Sequence, residues 1–281
     1  VVFIKEIHTA IKTGSSVPVV GLGDDNEQKF IKLIGSGDSV YSLITEFIIS
    51  SIAEALCLPV LSKQLVLIDE NTTPNVLYEE VRDMIRKSFG INLAYTYYEQ
   101  SNSVSIQEVL RDLPLIHKQQ LFLLDVLFRN IDRTSHNHGI IRVNNSLCIS
   151  DFGVSLIIRS MMNGKEHIDS TITNQLLKEH CTYTEDITEQ SIQDFFECIQ
   201  KVHFHTIVHN IPEMWIRICS SLELVKAKEV LIELLMKLVS EKNALIEFLS
   251  VIYTTERIDE QEQREKKAKN RKRFEEMMGL R

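Results

Sequence analysis

Three residues have the types and the spacing to hold a metal ion and orient a hydroxyl. Asn137 follows Asp132 by five positions, and Asp151 follows Asn137 by fourteen. Asp151 and the amide oxygen of Asn137 are hard oxygen ligands, and magnesium usually takes only one or two such ligands from a protein. Asp132 would stand beside an incoming hydroxyl as its base or orienter. Phosphoryl transfer is mostly positioning and charge stabilisation, so a few groups of this kind brought to one place can serve it. The plainer alternative is that Asp151-Phe152-Gly153 is a chance tripeptide after a buried strand, and Asp132-Arg133 a surface ion pair.

A hairpin would bring the three together. Ile140 to Val143 and Leu147 to Ser150 are short strand-like runs, and Asn144-Asn145 is a plausible turn between them. Asp-x4-Asn, a hairpin and then Asp-Phe-Gly is the arrangement of kinase-type phosphotransferases. Arg129, Arg133, His136 and His138 flank the loop; any of them could touch a phosphate or substrate, though packing and hydrogen bonding come first. No partner His or Cys lies at a usual zinc spacing from the two histidines.

Such a site needs a lysine for the nucleotide phosphates and an acid to hold it. Lys32 lies on the strand Gln28 to Ile34, where Phe30 and Lys32 share one face and Ile31 and Leu33 the other. Glu46 comes fourteen positions later, inside an apolar helix over about 40–57. Lys29 is the rival lysine and Glu54 the rival acid, and both lysines could instead be solvated edge charges. No GxGxxG is present. Gly14-Ser15-Ser16 is the better phosphate-loop candidate, because small residues let backbone amides approach phosphates. Gly21-Leu22-Gly23 sits at a hairpin turn instead, and a plain connecting loop remains the bland reading of 14–16.

The elements that position these residues read as a small sheet followed by helices. Strands are expected at Val1 to Ile4, Val17 to Gly21, 28–34, Leu61 to Ile68, 76–81 and Ile91 to Glu99. Helices are expected over 106–113, 117–128, 190–202, near Trp215, over 225–240 and over 243–253. The expected fold is α+β and two-lobed in the manner of protein kinases. Its divisions are a β-rich N-lobe over 1–98, a helical C-lobe over 99–254 and a charged C-terminal helix over 255–281.

The 281 residues are 44% hydrophobic and 25% charged, which argues against wholesale disorder. A net charge of -8 speaks against a nucleic-acid binder. The basic run 264–273 is flanked by acidic residues and reads first as a solvated helix face. Five scattered cysteines without a CxxC pair fit reduced thiols in a cytoplasm. No apolar run approaches the ~18 residues of a membrane span. The chain opens VVFIKEIHTA, without Met or a basic leader; it reads as trimmed at the front, with no signal peptide in what remains.

Together these residues resemble the HipA-like kinase families, in particular their short stand-alone form. The resemblance rests on Gly14-Ser15-Ser16-x-Pro18, the Phe30-Ile31-Lys32 strand, Glu46, Leu58-Pro59 and LLDVLFRNIDRTSHN, and covers roughly residues 10–160. It implies a Ser/Thr kinase that uses ATP and magnesium on a protein substrate. Asp132 would be the base, Asn137 and Asp151 the magnesium ligands, and Lys32 with Glu46 the nucleotide-orienting pair. It further implies Ser15 or Ser16 as candidates for autophosphorylation, and a small antitoxin-type partner. Ser150-Asp151-Phe152-Gly153 stands where the family typically reads Ile-Asp-His-Gly. Asn130 replaces the His of eukaryotic-type protein kinases, and no Ala-Pro-Glu follows, so substrate recognition is undefined. A catalytically silent kinase-fold module and a phosphoinositide-type lipid kinase remain as alternatives.

Overall fold

The computed structural model describes residues 1–11, 16–36, 39–99, 102–155, 157–158, 162, 179–182, 187–220 and 223–240, with scattered positions up to 249. Val1–Ser240 forms one compact unit and Glu241–Arg281 a second. The first unit carries every candidate site residue. The helix expected over 243–253 falls largely outside the described residues, and the charged tail over 255–281 wholly so.

Six strands gather in the first hundred residues. They are β1 (Val2–Ala10), β2 (Val19–Gly23), β3 (Gln28–Lys32), β4 (Lys63–Ile68), β5 (Thr73–Pro74) and β6 (Gly90–Thr96). They form one sheet in the order β2-β3-β6-β4-β1-β5, and β2 also pairs with β1, so five of the strands make a closed ring of pairings. Ile31 and Leu33, and Val66 and Ile68, alternate and turn inward to one buried cluster; Ile4 and Ile7 join it three positions apart because the register of β1 against β2 shifts between Ile4 and Glu6.

Helix α1 (Ser39–Ala55) is apolar around most of its circumference, as a helix covered on several sides must be. Phe47 on α1 meets Trp215 edge to face, with ring centroids 6.2 Å apart, and the Trp215 indole donates to the Ile91 carbonyl on β6 at 2.7 Å. Helix α2 (Glu79–Arg86) corrects the strand expected over 76–81. Val76 and Tyr78 alternate as strand residues do, but Val81 falls out of that step, and Val81 and Ile85, four apart, bury one helical face on the sheet.

Two more helices lead into the candidate site. Helix α3 (Ile106–Asp112) opens with a capping box between Ser105 and Glu108. Helix α4 (Leu115–Phe128) buries every residue from Leu121 to Phe128, Asp125 included. The hairpin follows as β8 (Ile140–Val143) and β9 (Ser146–Ile149), with β7 (Asn102–Ser103) beside β8. Asn144 and Asn145 both take positive φ (47° and 68°), the primed-turn geometry that suits asparagine. Helices α5 (Glu189–Ile199), α6 (Phe204–His209), α7 (Glu213–Cys219) and α8 (Leu224–Ser240) follow among the described residues. The short α6 was not among the expected elements.

Candidate active site

The loop between α4 and β8 is built on a buried polar centre. Arg129 ends α4 in the left-handed conformation, and the Asn130 amide returns to the Asp125 carbonyl at 2.8 Å. The Asn130 side chain donates to Asp125 Oδ1 at 2.9 Å, and Arg133 Nε donates to Asp125 Oδ2 at 2.5 Å. Burial alone would raise the Asp125 carboxyl, but Arg133, with donors from His180 and Asn130, outweighs it and holds the group below its ordinary value. Arg133 is therefore not a surface ion pair. Its guanidinium also donates to the carbonyls of His138 (2.7 Å), Ser150 (3.2 Å) and Asp151 (3.3 Å), and it lies 4.8 Å from the Phe152 ring centre. One buried side chain thus pins both ends of the hairpin.

That anchoring sets Asp132 and Asn137, both exposed on the loop. Asn137 donates from Nδ2 to Asp132 Oδ2 at 2.9 Å. Thr134 Oγ1 accepts from the backbone amides of His136 (3.3 Å) and Asn137 (3.2 Å), which turns the loop between Asp132 and Asn137. His138 uses its ring on the Val104 carbonyl and the Ile140 amide, so it has a structural place rather than a phosphate to bind. His136 is exposed.

Lys32 is where the sheet, α1 and the hairpin meet. Its Nζ lies 3.0 Å from Glu46 Oε2 and 2.9 Å from Asp151 Oδ1. Burial works against the ammonium, but the two carboxylates outweigh it and raise its pKa above the ordinary lysine value. Lys32 in turn is the main reason that the Asp151 carboxyl is held low. Asp151 keeps 46% of its side chain exposed while Glu46 has none, so Asp151 can still face a ligand. The Tyr95 phenol donates to Glu46 Oε1 at 2.6 Å. Burial and the neighbouring carboxylate push that phenol well above its ordinary pKa. A Cβ on Gly153 would fall 2.5 Å from Ser42 Oγ and 3.2 Å from Glu46 Oε2, so α1 comes against the Asp-Phe-Gly turn only because this residue has none.

The strand pleat separates the rival lysines. Lys29 shares the inward face with Ile31 and is buried between Asp25 and Glu27, each at 2.7 Å. Lys32 points the other way, with Phe30. Glu54 pairs with Lys63 at the surface, far from Glu46 in burial. Gly21 is explained by strand packing, since a Cβ there would lie 2.8 Å from the Glu6 carbonyl oxygen.

A cavity of about 270 Å³ opens beside Lys32 and Asp151, walled by Ser16, Phe30, Tyr95 and Ile141 among others. Gly14 and Ser15 lie outside the described residues. Asp151 lines the cavity and Asn137 does not; both carry the hard side-chain oxygens that suit magnesium. Among the described residues no group of three or more His, Cys, Asp or Glu could hold a metal alone, so phosphate and water oxygens would have to complete the shell. Asp125, Tyr95 and His180 are neighbours of these residues that were not singled out from the sequence. The one available signal was Asp125, a lone acid inside a fully apolar run.

A family model described as HipA-like kinase matches residues 4–244. No match is found among curated proteins. Among solved structures the chain is similar to a Helicobacter pylori proinflammatory kinase, CtkA, at 15% identity and a TM-score of 0.48, covering 89% of this chain and 95% of that one. It is also similar to a Golgi casein kinase at 13% identity and a TM-score of 0.46, covering 88% and 74%. The family match spans Lys32, Glu46, Asp132, Asn137 and Asp151, and by it this chain belongs to the HipA-like kinase family.

Proposed function

We propose that the chain uses ATP with magnesium and transfers the γ-phosphate to a Ser or Thr hydroxyl of a protein. The observation that carries this reading is Lys32 Nζ, held between Glu46 at 3.0 Å and Asp151 at 2.9 Å on the wall of the cavity. A lysine paired in this way is a fixed positive charge for nucleotide phosphates. Phe30, Tyr95 and Ile141 offer the cavity the flat and branched apolar surface that suits a base.

Asp132 would accept the proton of the acceptor hydroxyl, with the Asn137 amide fixing one of its oxygens. Asn137 and Asp151 would hold magnesium, which when bound supplies positive charge to the phosphate oxygens. On this reading residues 1–98 form a nucleotide lobe and 99–254 a catalytic lobe. Gly14, Ser15 and Ser16 would cover the phosphates, with Ser15 or Ser16 the sites of any autophosphorylation. A protein substrate, and a small antitoxin-type partner, belong to the same reading. The five unbridged cysteines support a reducing compartment such as the cytoplasm.

The test is transfer of labelled phosphate by the parent, Asp132→Asn and Asp151→Asn, beside a thermal shift with ATP and magnesium. Asp132→Asn is expected to keep the nucleotide-induced shift and lose transfer by on the order of a hundredfold or more. Transfer at the parental rate by either variant would overturn the assignment. A parent that binds ATP and never transfers would make the chain a silent binding module.

A further inference from the structure

The buried carboxylate of Asp125 has a third partner to which the proposed transfer reaction gives no role. His180 lies 55 positions along the chain, beyond Gly153, and its Nε2 is 2.9 Å from Asp125 Oδ2. Its Nδ1 accepts the Thr182 backbone amide at 3.1 Å. An imidazole that accepts at Nδ1 carries its proton at Nε2, so His180 is the neutral tautomer that donates to Asp125. The ring is buried and meets Phe122 of α4 edge to face at 5.2 Å.

The backbone repeats the connection. The Cys181 amide donates to the Arg133 carbonyl at 3.1 Å, and Thr134 and His180 form an antiparallel bridge. Residues 180 and 181 therefore run beside Arg133 and Thr134, the two residues immediately after Asp132. Asp125 Oδ2 is thus shared by Arg133, which pins the carbonyl of Asp151, and by His180, which pins the later segment.

We propose that His180 is a positioning residue for phosphoryl transfer, clamping the chain beyond Gly153 onto the loop that carries Asp132 and so aligning the acceptor side of the site. This rests on the kinase reading. His180 itself does not line the cavity, whose walls reach Ser150 and Asp151 but none of residues 180–182, so loss of the clamp bears on transfer before it bears on nucleotide binding.

His180→Ala would leave a hole beside Phe122, so the diagnostic variants of the full chain are His180→Phe and His180→Gln. Phenylalanine keeps the ring contact and removes the imidazole's hydrogen bonds to Asp125 and to the Thr182 amide and hydroxyl, whereas glutamine restores a donor toward Asp125. The measurements are magnesium–ADP affinity by calorimetry, the rate of phosphate loss from magnesium–ATP to protein and water, and amide exchange at Cys181 and Thr182. His180→Phe is expected to hold its ADP affinity within about twofold, while the turnover falls on the order of tenfold to a hundredfold, as misplacement of a reacting group does. Exchange at Cys181 and Thr182 should quicken, and His180→Gln should recover most of the rate. Parental turnover in His180→Phe, ADP affinity lost in step with turnover, or a glutamine variant no better than phenylalanine would each overturn the clamp. A parent that neither binds ADP nor consumes ATP would instead overturn the kinase reading, and the clamp with it.

Discussion

The Tyr95 phenol donates to Glu46 Oε1 at 2.6 Å, and Lys32 occupies the other oxygen at 3.0 Å. The carboxylate is fully buried and both its oxygens are used, Oε1 by Tyr95 and Oε2 by Lys32. Tyr95→Phe keeps the ring and leaves Glu46 Oε1 without its donor. Losing a hydrogen bond to a buried charged group costs roughly 1.5–3 kcal/mol, which urea denaturation should show. The KM for ATP should rise about threefold to tenfold as Glu46 loses its fixed position.

Lys32→Met removes the charge between Glu46 and Asp151 and leaves two carboxylates facing one another. Transfer should fall on the order of a hundredfold or more, because a fixed charge aimed at the phosphates is gone. Stability should drop by about 2 kcal/mol from the buried Glu46 left with Tyr95 alone. Steady-state rates and thermal melting, read together, separate the two effects.

Stability should decline in two steps as pH falls. Burial lowers the pKa of His180, although Asp125 pulls the other way, so the folded chain binds fewer protons there than the unfolded one. That contribution is fully present above the unfolded value of about 6.5 and begins to be lost below it. Asp125 and Asp151 are also held low, so their contribution is present above about pH 4 and lost as acid protonates them. Urea midpoints between pH 8 and 3 should show both steps, and His180→Phe should flatten the first.

Gly139 has φ +59°, and a Cβ there would lie 2.7 Å from the Ser150 carbonyl oxygen and 2.7 Å from Arg133 Nη1. Gly139→Ala should destabilise the chain by about 2 kcal/mol, from the left-handed conformation and the crowding together. The Arg133 bonds to the hairpin should loosen with it, so transfer should fall more than ADP affinity. Denaturant melts and calorimetry check the two parts.

Local signals were legible in the chain. The Asp132 to Asn137 spacing, the hairpin and Asp151 lie within twenty residues, where turn chemistry and strand alternation speak directly. Lys32 and Lys29 differ by three positions, and the pleat puts them on opposite faces. The 76–86 segment was misleading because only Val76 and Tyr78 fit the strand period, while burial against the sheet selects Val81 with Ile85 at helical spacing.

By itself the sequence determined the chemistry available: which oxygens could hold magnesium, which acid could take a proton and which lysine and glutamate were candidates for a pair. Only the tertiary structure decided that Lys32 meets Asp151 across 119 positions, that Tyr95 takes the second oxygen of Glu46, and that Asp125 holds Arg133 and His180 together. Periodicity reports which face of an element is buried. Which polar group waits on the other side depends on how distant segments pack, because a buried charge persists only where the fold supplies its partners.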